Sequence, residues 1–165
     1  FIDELCRYHI SGTLKVAPEH ISDRVLYYMR KPSKKVFLDF DKKYKQTNKR
    51  LGKKQYLIPY LISSHPGSTL EDAVELAVFL KEYGFVPDQV QDFYPTPGTL
   101  STCMYYTELD PLTMKPVYIA KNMEEKRMQR ALIHYNKKEN RELVIKALKK
   151  VGKVDLAGYL LYNTK

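Results

Sequence analysis

The 165 residues are 44% hydrophobic and 28% charged and carry a formal net charge of +9, the balance of a globular chain with room for a real core rather than of a disordered or fibrous one. No apolar run approaches the roughly 20 residues needed to cross a bilayer. Phe1-Ile2-Asp3-Glu4 sets acid where a signal peptide needs base, so no membrane partner and a cytoplasmic location are expected.

Tyr8 to Val16 alternates loosely, with Ile10, Leu14 and Val16 apolar, and reads as a strand broken by Ala17-Pro18-Glu19-His20. Ile21 to Met29 sets Val25, Leu26 and Met29 on one helical face before Lys31-Pro32 stops it. After Ser33, a candidate N-cap, Val36, Phe37, Phe40, Tyr44, Thr47 and Leu51 recur at three-to-four spacing, predicting an amphipathic helix that ends at Gly52. Tyr56 to Ile62 is a continuous apolar run, the pattern of a strand buried on both faces, although Pro59 argues against a central position. Ser68-Thr69-Leu70-Glu71 reads as a capping box opening a helix that turns Ala73, Val74, Ala77 and Leu80 inward and ends at Gly84. Gln89 to Phe93 is a short strand, closed by the rigid loop Tyr94-Pro95-Thr96-Pro97-Gly98-Thr99. Tyr105 to Val117 reads as irregular. Helices follow from Asn122, with Met128, Ala131, Leu132 and Tyr135 inward, and over Glu139 to Val151, with Leu143, Val144, Ala147 and Leu148 inward; Asp155 to Tyr162 adds a short one.

Strand–helix–strand–helix–strand implies an α/β fold with parallel strands over residues 1–100, followed by an irregular segment and a basic helical extension over 101–165. Three such strands do not close a barrel and leave two edges open. With a chain that starts on Phe1, this leads to the expectation of a piece of a longer protein, its free edge paired with a second copy.

The charge is unevenly spread: Lys31 to Lys54 holds ten Lys/Arg against two Asp, and Lys121 to Lys153 eleven against four Glu. These are the outer faces of amphipathic helices or a nucleic-acid footprint. Cys6 and Cys103 form no CxxC pair, so they read as free thiols and signal neither a zinc nor a redox site.

In parallel α/β sheets ligands bind beyond the carboxyl ends of the strands. In this chain those ends are Ala17-Pro18-Glu19-His20, Ser63-Ser64-His65-Pro66-Gly67-Ser68 and Tyr94-Pro95-Thr96-Pro97-Gly98-Thr99. The Glu19 carboxylate accepts hydrogen bonds from an ammonium or a ribose, or simply complements a helix start. Lys15 lies two residues inward of Ala17 and points into a lumen or into solvent. His65 is a proton carrier, a ligand contact or an exposed loop residue. Gly67 and Ser68 offer backbone amides to an anion or serve only to cap. The chain contains no nucleophile–base pair, no paired catalytic carboxylates and no GxxxxGK[ST] loop.

Three stretches, KVAPEHISDRVLYYMRKP, YLIPYLISSHPGSTLEDAVELAVFLKEYGF and VQDFYPTPGTLSTCMYY, and then the tail EKRMQRALIHYN, closely resemble the YgiQ-type radical-SAM family of bacterial proteins. More distantly they are similar to the methylthiotransferases. The resemblance covers essentially the whole chain. It implies the C-terminal half of a partial (β/α)6 TIM-like barrel, whose full form binds S-adenosylmethionine at a [4Fe-4S] cluster held by a CxxxCxxC motif. It places Lys15 and Glu19 opposite S-adenosylmethionine from the fourth strand, Ser63, Ser64 and His65 at the end of the fifth, and Tyr94 and Thr96 near adenine at the end of the sixth. Neither Cys6 nor Cys103 stands in a CxxxCxxC motif. The expectation is therefore a chain that binds no cofactor alone, needs the N-terminal half of the barrel, and acts within the longer enzyme on an unknown small molecule or RNA. The alternative is an RNA-binding module built on the basic helices.

Overall fold

The computed structural model describes residues 1–162; the last three residues of the predicted extension lie outside them. A short turn, α1 (Ile2–Glu4), widens into a π-helical stretch over Leu5–His9, where a strand was expected from Tyr8. Cys6 and Ile10 are drawn into a small core with Tyr44 and Leu57, and that burial overrides the loose alternation. Strand β1 (Thr13–Glu19) starts later and runs through Ala17-Pro18-Glu19, which the sequence reads as a break. A register shift between Val16 and Glu19 leaves Ala17 and Pro18 unpaired, so the missing proline N–H costs no ladder bond.

Helices α2 (Asp23–Tyr28) and α3 (Lys34–Leu51) follow, and α3 ends at Gly52 in the left-handed region, φ 64°. Strand β2 (Tyr56–Ser63) is central, in the order β1-β2-β3, with both pairings parallel. Pro59 survives there for a reason that pattern alone does not show. Tyr56 N–H donates to Gly12 C=O on the β1 side, and Ser63 C=O accepts from Phe93 N–H on the other. By the period of two Pro59 faces the second side, where β3 (Gln91–Asp92) pairs only with Ile62 and Ser63. The five-residue strand expected from Gln89 shrinks to these two residues.

Helix α4 (Leu70–Tyr83) begins one residue later than the predicted capping box. Thr69 is the N-cap and Asp72 its N3 partner, because Ser68 is buried and donates instead to Gln129 Oε1, 3.0 Å away. A helix not expected from the sequence, α5 (Leu100–Thr107), capped by Thr99, runs into the start of the segment read as irregular from Tyr105. Helices α6 (Met123–Ile133), α7 (Arg141–Lys150) and α8 (Leu156–Leu161) complete the described chain.

Burial on β2 alternates strictly, not on both faces as the apolar run predicts. Leu57 joins Tyr44 of α3, and Leu61 joins the α4 side chains from Ala73 to Leu80. Both crossover helices therefore cover the same face. The opposite face carries Tyr56 and Tyr60, 64% and 39% exposed, with Lys15 on the neighbouring strand. Behind α4, Met128, Leu132, Leu148 and Leu160 continue the same hydrophobic cluster into the C-terminal helices.

Candidate functional site at the strand ends

Two neighbouring strands end in left-handed, non-glycine residues: Glu19, φ 64°, on β1 and Ser64, φ 58°, just past β2. Such backbone costs on the order of 1–3 kcal/mol and persists where surrounding structure fixes it. Between the two ends lies a dense polar network. His20, 2% exposed, accepts the Ser22 N–H at Nδ1, 3.0 Å away. The Ser22 hydroxyl donates to Asp72 Oδ1 at 2.7 Å, and Arg24 pairs with the other Asp72 oxygen while donating to Thr69 Oγ1 at 2.8 Å. Burial alone would raise the Asp72 carboxyl, but hydrogen bonds from Arg24, Ser22 and Thr69 outweigh it and hold it below the usual carboxylate value. The β1–α2 connection is thereby tied to the start of α4.

The β2 end is held as firmly. The Ser63 hydroxyl donates to Asp92, whose second oxygen pairs with Arg130 of α6 at 2.7 Å. His65 is 4% exposed and engages both ring nitrogens, with Pro66 O and Ser101 Oγ at 2.8 Å each. Its ring meets Phe93 edge-on at 5.1 Å. Burial pushes both His20 and His65 down to about 4, so both are neutral imidazoles at pH 7. Gly67, φ 89°, donates to Tyr118 O at 2.7 Å and lies so close to Tyr28 that a Cβ would stand 2.2 Å from its ring. That approach is why glycine is required there.

The segment from Phe93 to Ala120 folds back over these ends. Met104, Val117 and Ile119 form its core with Tyr28 and Tyr105, and Asp110, paired with Arg30, anchors it to the end of α2.

Of the residues singled out from sequence, Ser63, Ser64 and His65 come together under this strap. The Ser64 hydroxyl is buried and has no partner among the described residues. Lys15 is exposed on the open face of β1, and Glu19 pairs with Lys31 at 3.3 Å. Tyr94 is 75% exposed. Thr96 is exposed too, and its carbonyl accepts the Thr99 and Thr102 hydroxyls at 3.0 and 2.6 Å. Among the described residues no hydrogen bond joins this loop to the β1 or β2 groups. Sequence reasoning passed over Asp72, Asp92, Ser101, Gln129 and Arg130. Asp72 had a legible signal in the second capping register, Thr69-Leu70-Glu71-Asp72; the others had none.

Among the described residues no three His, Cys, Asp or Glu side chains are grouped to hold a metal ion. Cys6 is buried beneath α3 and Cys103 is exposed on α5. These residues do not fit an iron–sulfur cluster. For a small polar ligand the groups at hand are the Glu19 carboxylate, an acceptor, and the Lys15 ammonium, a donor.

Residues 88–160 match the family model described as a domain of unknown function, DUF3362. Over 158 residues, 96% of the chain, the sequence is 58% identical to a UPF0313 protein of Clostridium botulinum (strain Okra / Type B1), and the match covers 25% of that protein. It is 57% identical to a UPF0313 protein of Clostridium perfringens (strain SM101 / Type A) and 55% to one of Methanosarcina acetivorans, covering 24% and 21% of them. The chain thus spans about a quarter of the length of these relatives, and its similarity reaches beyond bacteria to an archaeon. The UPF0313 name is consistent with the YgiQ-type resemblance.

Proposed function

We propose that this chain is the C-terminal half of a radical-SAM core, contributing three strands and their crossover helices to a (β/α) barrel completed elsewhere in the longer protein. The observation that carries this reading is that α3 and α4 both cover one face of the parallel sheet. A doubly wound sheet sets helices on both faces, whereas a barrel sets all of them outside and turns the other face inward. The exposed row of Tyr56, Tyr60 and Lys15 is the lumen wall on this reading, and the strained strand ends at Glu19 and Ser64 are its ligand rim.

The ligand this assigns to the rim is S-adenosylmethionine. The Glu19 carboxylate suits its ammonium or ribose hydroxyls. In the full-length protein such a cofactor would supply radical chemistry, and the role of these residues would be to hold and orient it and to exclude water. The cluster ligands are not among these residues and would come from a CxxxCxxC motif outside them.

The test is anaerobic reconstitution of the full-length protein with iron and sulfide, then reduction in the presence of S-adenosylmethionine. Formation of 5′-deoxyadenosine, lost when the upstream cysteines are replaced, is the expected result. A reconstituted, reduced protein that leaves S-adenosylmethionine intact overturns the reading. A second reading, RNA docking, draws on α3, where Lys42, Lys43 and Lys49 have no carboxylate partner among the described residues. RNA affinity that falls steeply with salt supports it, and no binding at low salt removes it.

A further inference from the structure

Away from the strand ends, Arg127, Arg130, His134 and Lys137 line a hollow of about 210 Å3 whose other wall includes Glu139 and Leu143. That is several times the roughly 30 Å3 a water molecule occupies. Arg127 and Arg130 stand three residues apart on α6, a spacing at which like charges repel, and Lys137 follows just past the helix. Elsewhere the protein relieves such repulsion with carboxylates: Lys146 and Lys150 share Glu124, Lys35 pairs with Asp39 and Lys45 with Asp41. In this hollow Arg127 and Lys137 have no carboxylate partner among the described residues. Arg130 gives one terminal nitrogen to Asp92 and keeps the rest of its fork free. Glu139 stands in the wall and Asp88 acts on His134 from a distance; with Asp92 they match the three cations in number, and what is left for an anion is the free ends of Arg127 and Lys137 and the rest of the Arg130 fork.

His134 supplies the second, independent observation. It is 4% exposed, and its Nδ1 is sealed in the interior without a partner among the described residues. A proton on Nδ1 would be a buried, unsatisfied donor, so the proton belongs on Nε2. Nε2 is not sealed and has no protein partner among the described residues. The ring is therefore a neutral N–H donor set among three cations. Asn140 holds the His134 carbonyl at 3.0 Å and fixes the turn that carries it.

We infer that Arg127, Arg130, His134 and Lys137 form a binding site for a phosphate group. The same chemistry would take a free phosphate or phosphomonoester, or a phosphodiester of a nucleic acid. The site does not depend on the barrel reading and stands or falls separately from it.

The probe is inorganic phosphate titrated into the full-length protein, with binding read from broadening of its phosphorus resonance. A second probe is a labelled single-stranded RNA read by anisotropy. The native protein is expected to broaden the phosphate signal at millimolar concentration. An Arg127→Glu/Lys137→Glu variant, altering two side chains outside the core, is expected to lose at least tenfold in affinity at unchanged thermal stability. RNA that competes with phosphate and loses affinity in the same variant identifies a phosphodiester as the source. Phosphate binding without such competition identifies a small phosphate ligand. No broadening at 10-fold higher phosphate than about 1 mM, a typical weak-ligand affinity, or broadening that the variant leaves unchanged, overturns the site.

Discussion

Along β2, Leu57, Pro59, Leu61 and Ser63 are buried while Tyr56 and Tyr60 stay exposed, although the two sets alternate on one strand. The covered face is joined to α3, α4 and the C-terminal helices through aliphatic packing, and at its upper end through the buried histidines. The open face is aromatic and cationic and carries little besides the hydrogen bond from the Tyr60 hydroxyl to Gln91. The difference shows that stability in this chain resides almost entirely on one side of its sheet. The other side is free to serve something beyond these residues.

Acid should break that comparison most severely. His20 and His65 have folded pKa values near 4, against 6.5 for a free imidazole. Between those values the unfolded chain binds more protons than the folded one. Their contribution is therefore intact above pH 6.5 and is lost as pH falls toward 4. The two together amount to on the order of 5 kcal/mol, and urea denaturation at pH 7 and pH 4.5 measures the loss. A midpoint unchanged between these values would mean that the imidazoles are solvated.

Gly67→Ala comes next. It sets a Cβ against the Tyr28 ring at a positive φ and should cost about 3–4 kcal/mol, read as a drop in melting temperature. Leu61→Ala, on the covered face, should cost about 3 kcal/mol. Thr69→Ala removes the α4 cap and should cost about 1 kcal/mol. The smallest effect sharpens the contrast: Tyr60→Ala, one residue from Leu61, should cost about 0.5 kcal/mol or less in this chain. A Tyr60→Ala loss equal to that of Leu61→Ala would show the open face to be packed. If the barrel reading holds, the same Tyr60 substitution costs more in the full-length protein.

Much of this architecture is written locally. Gly52 and Gly84 end their helices where the sequence says they should, because a left-handed cap is a property of one residue. The inward row of α4 follows from its period. What the sequence conceals depends on distant partners. Ser68 and Thr69 offer two capping registers, Ser68 with Glu71 and Thr69 with Asp72, and the choice is made by Gln129, 61 residues away. The strap helix α5 is hidden by residues of modest helix propensity, Ser, Thr and Tyr, and is held by the burial of Met104 against Val117 and Ile119. At the strand ends, Ser63 and His65 announce themselves as polar residues in an apolar context. Their partners Asp92 and Ser101 do not, since only the fold brings them near.

The hydrophobic cluster that runs from Ile21 and Leu61 through α4 to Leu148 and Leu160 has a consequence for the order of events during synthesis. Chains leave the ribosome N-terminus first, at roughly 5–20 residues per second. The sheet and α4 therefore emerge several seconds before α6, α7 and α8, with the outer side of α4 uncovered for that interval. The strands and α3 can already pack through Cys6, Ile10, Tyr44 and Leu57, and in that window the apolar back of α4 is what a chaperone would meet.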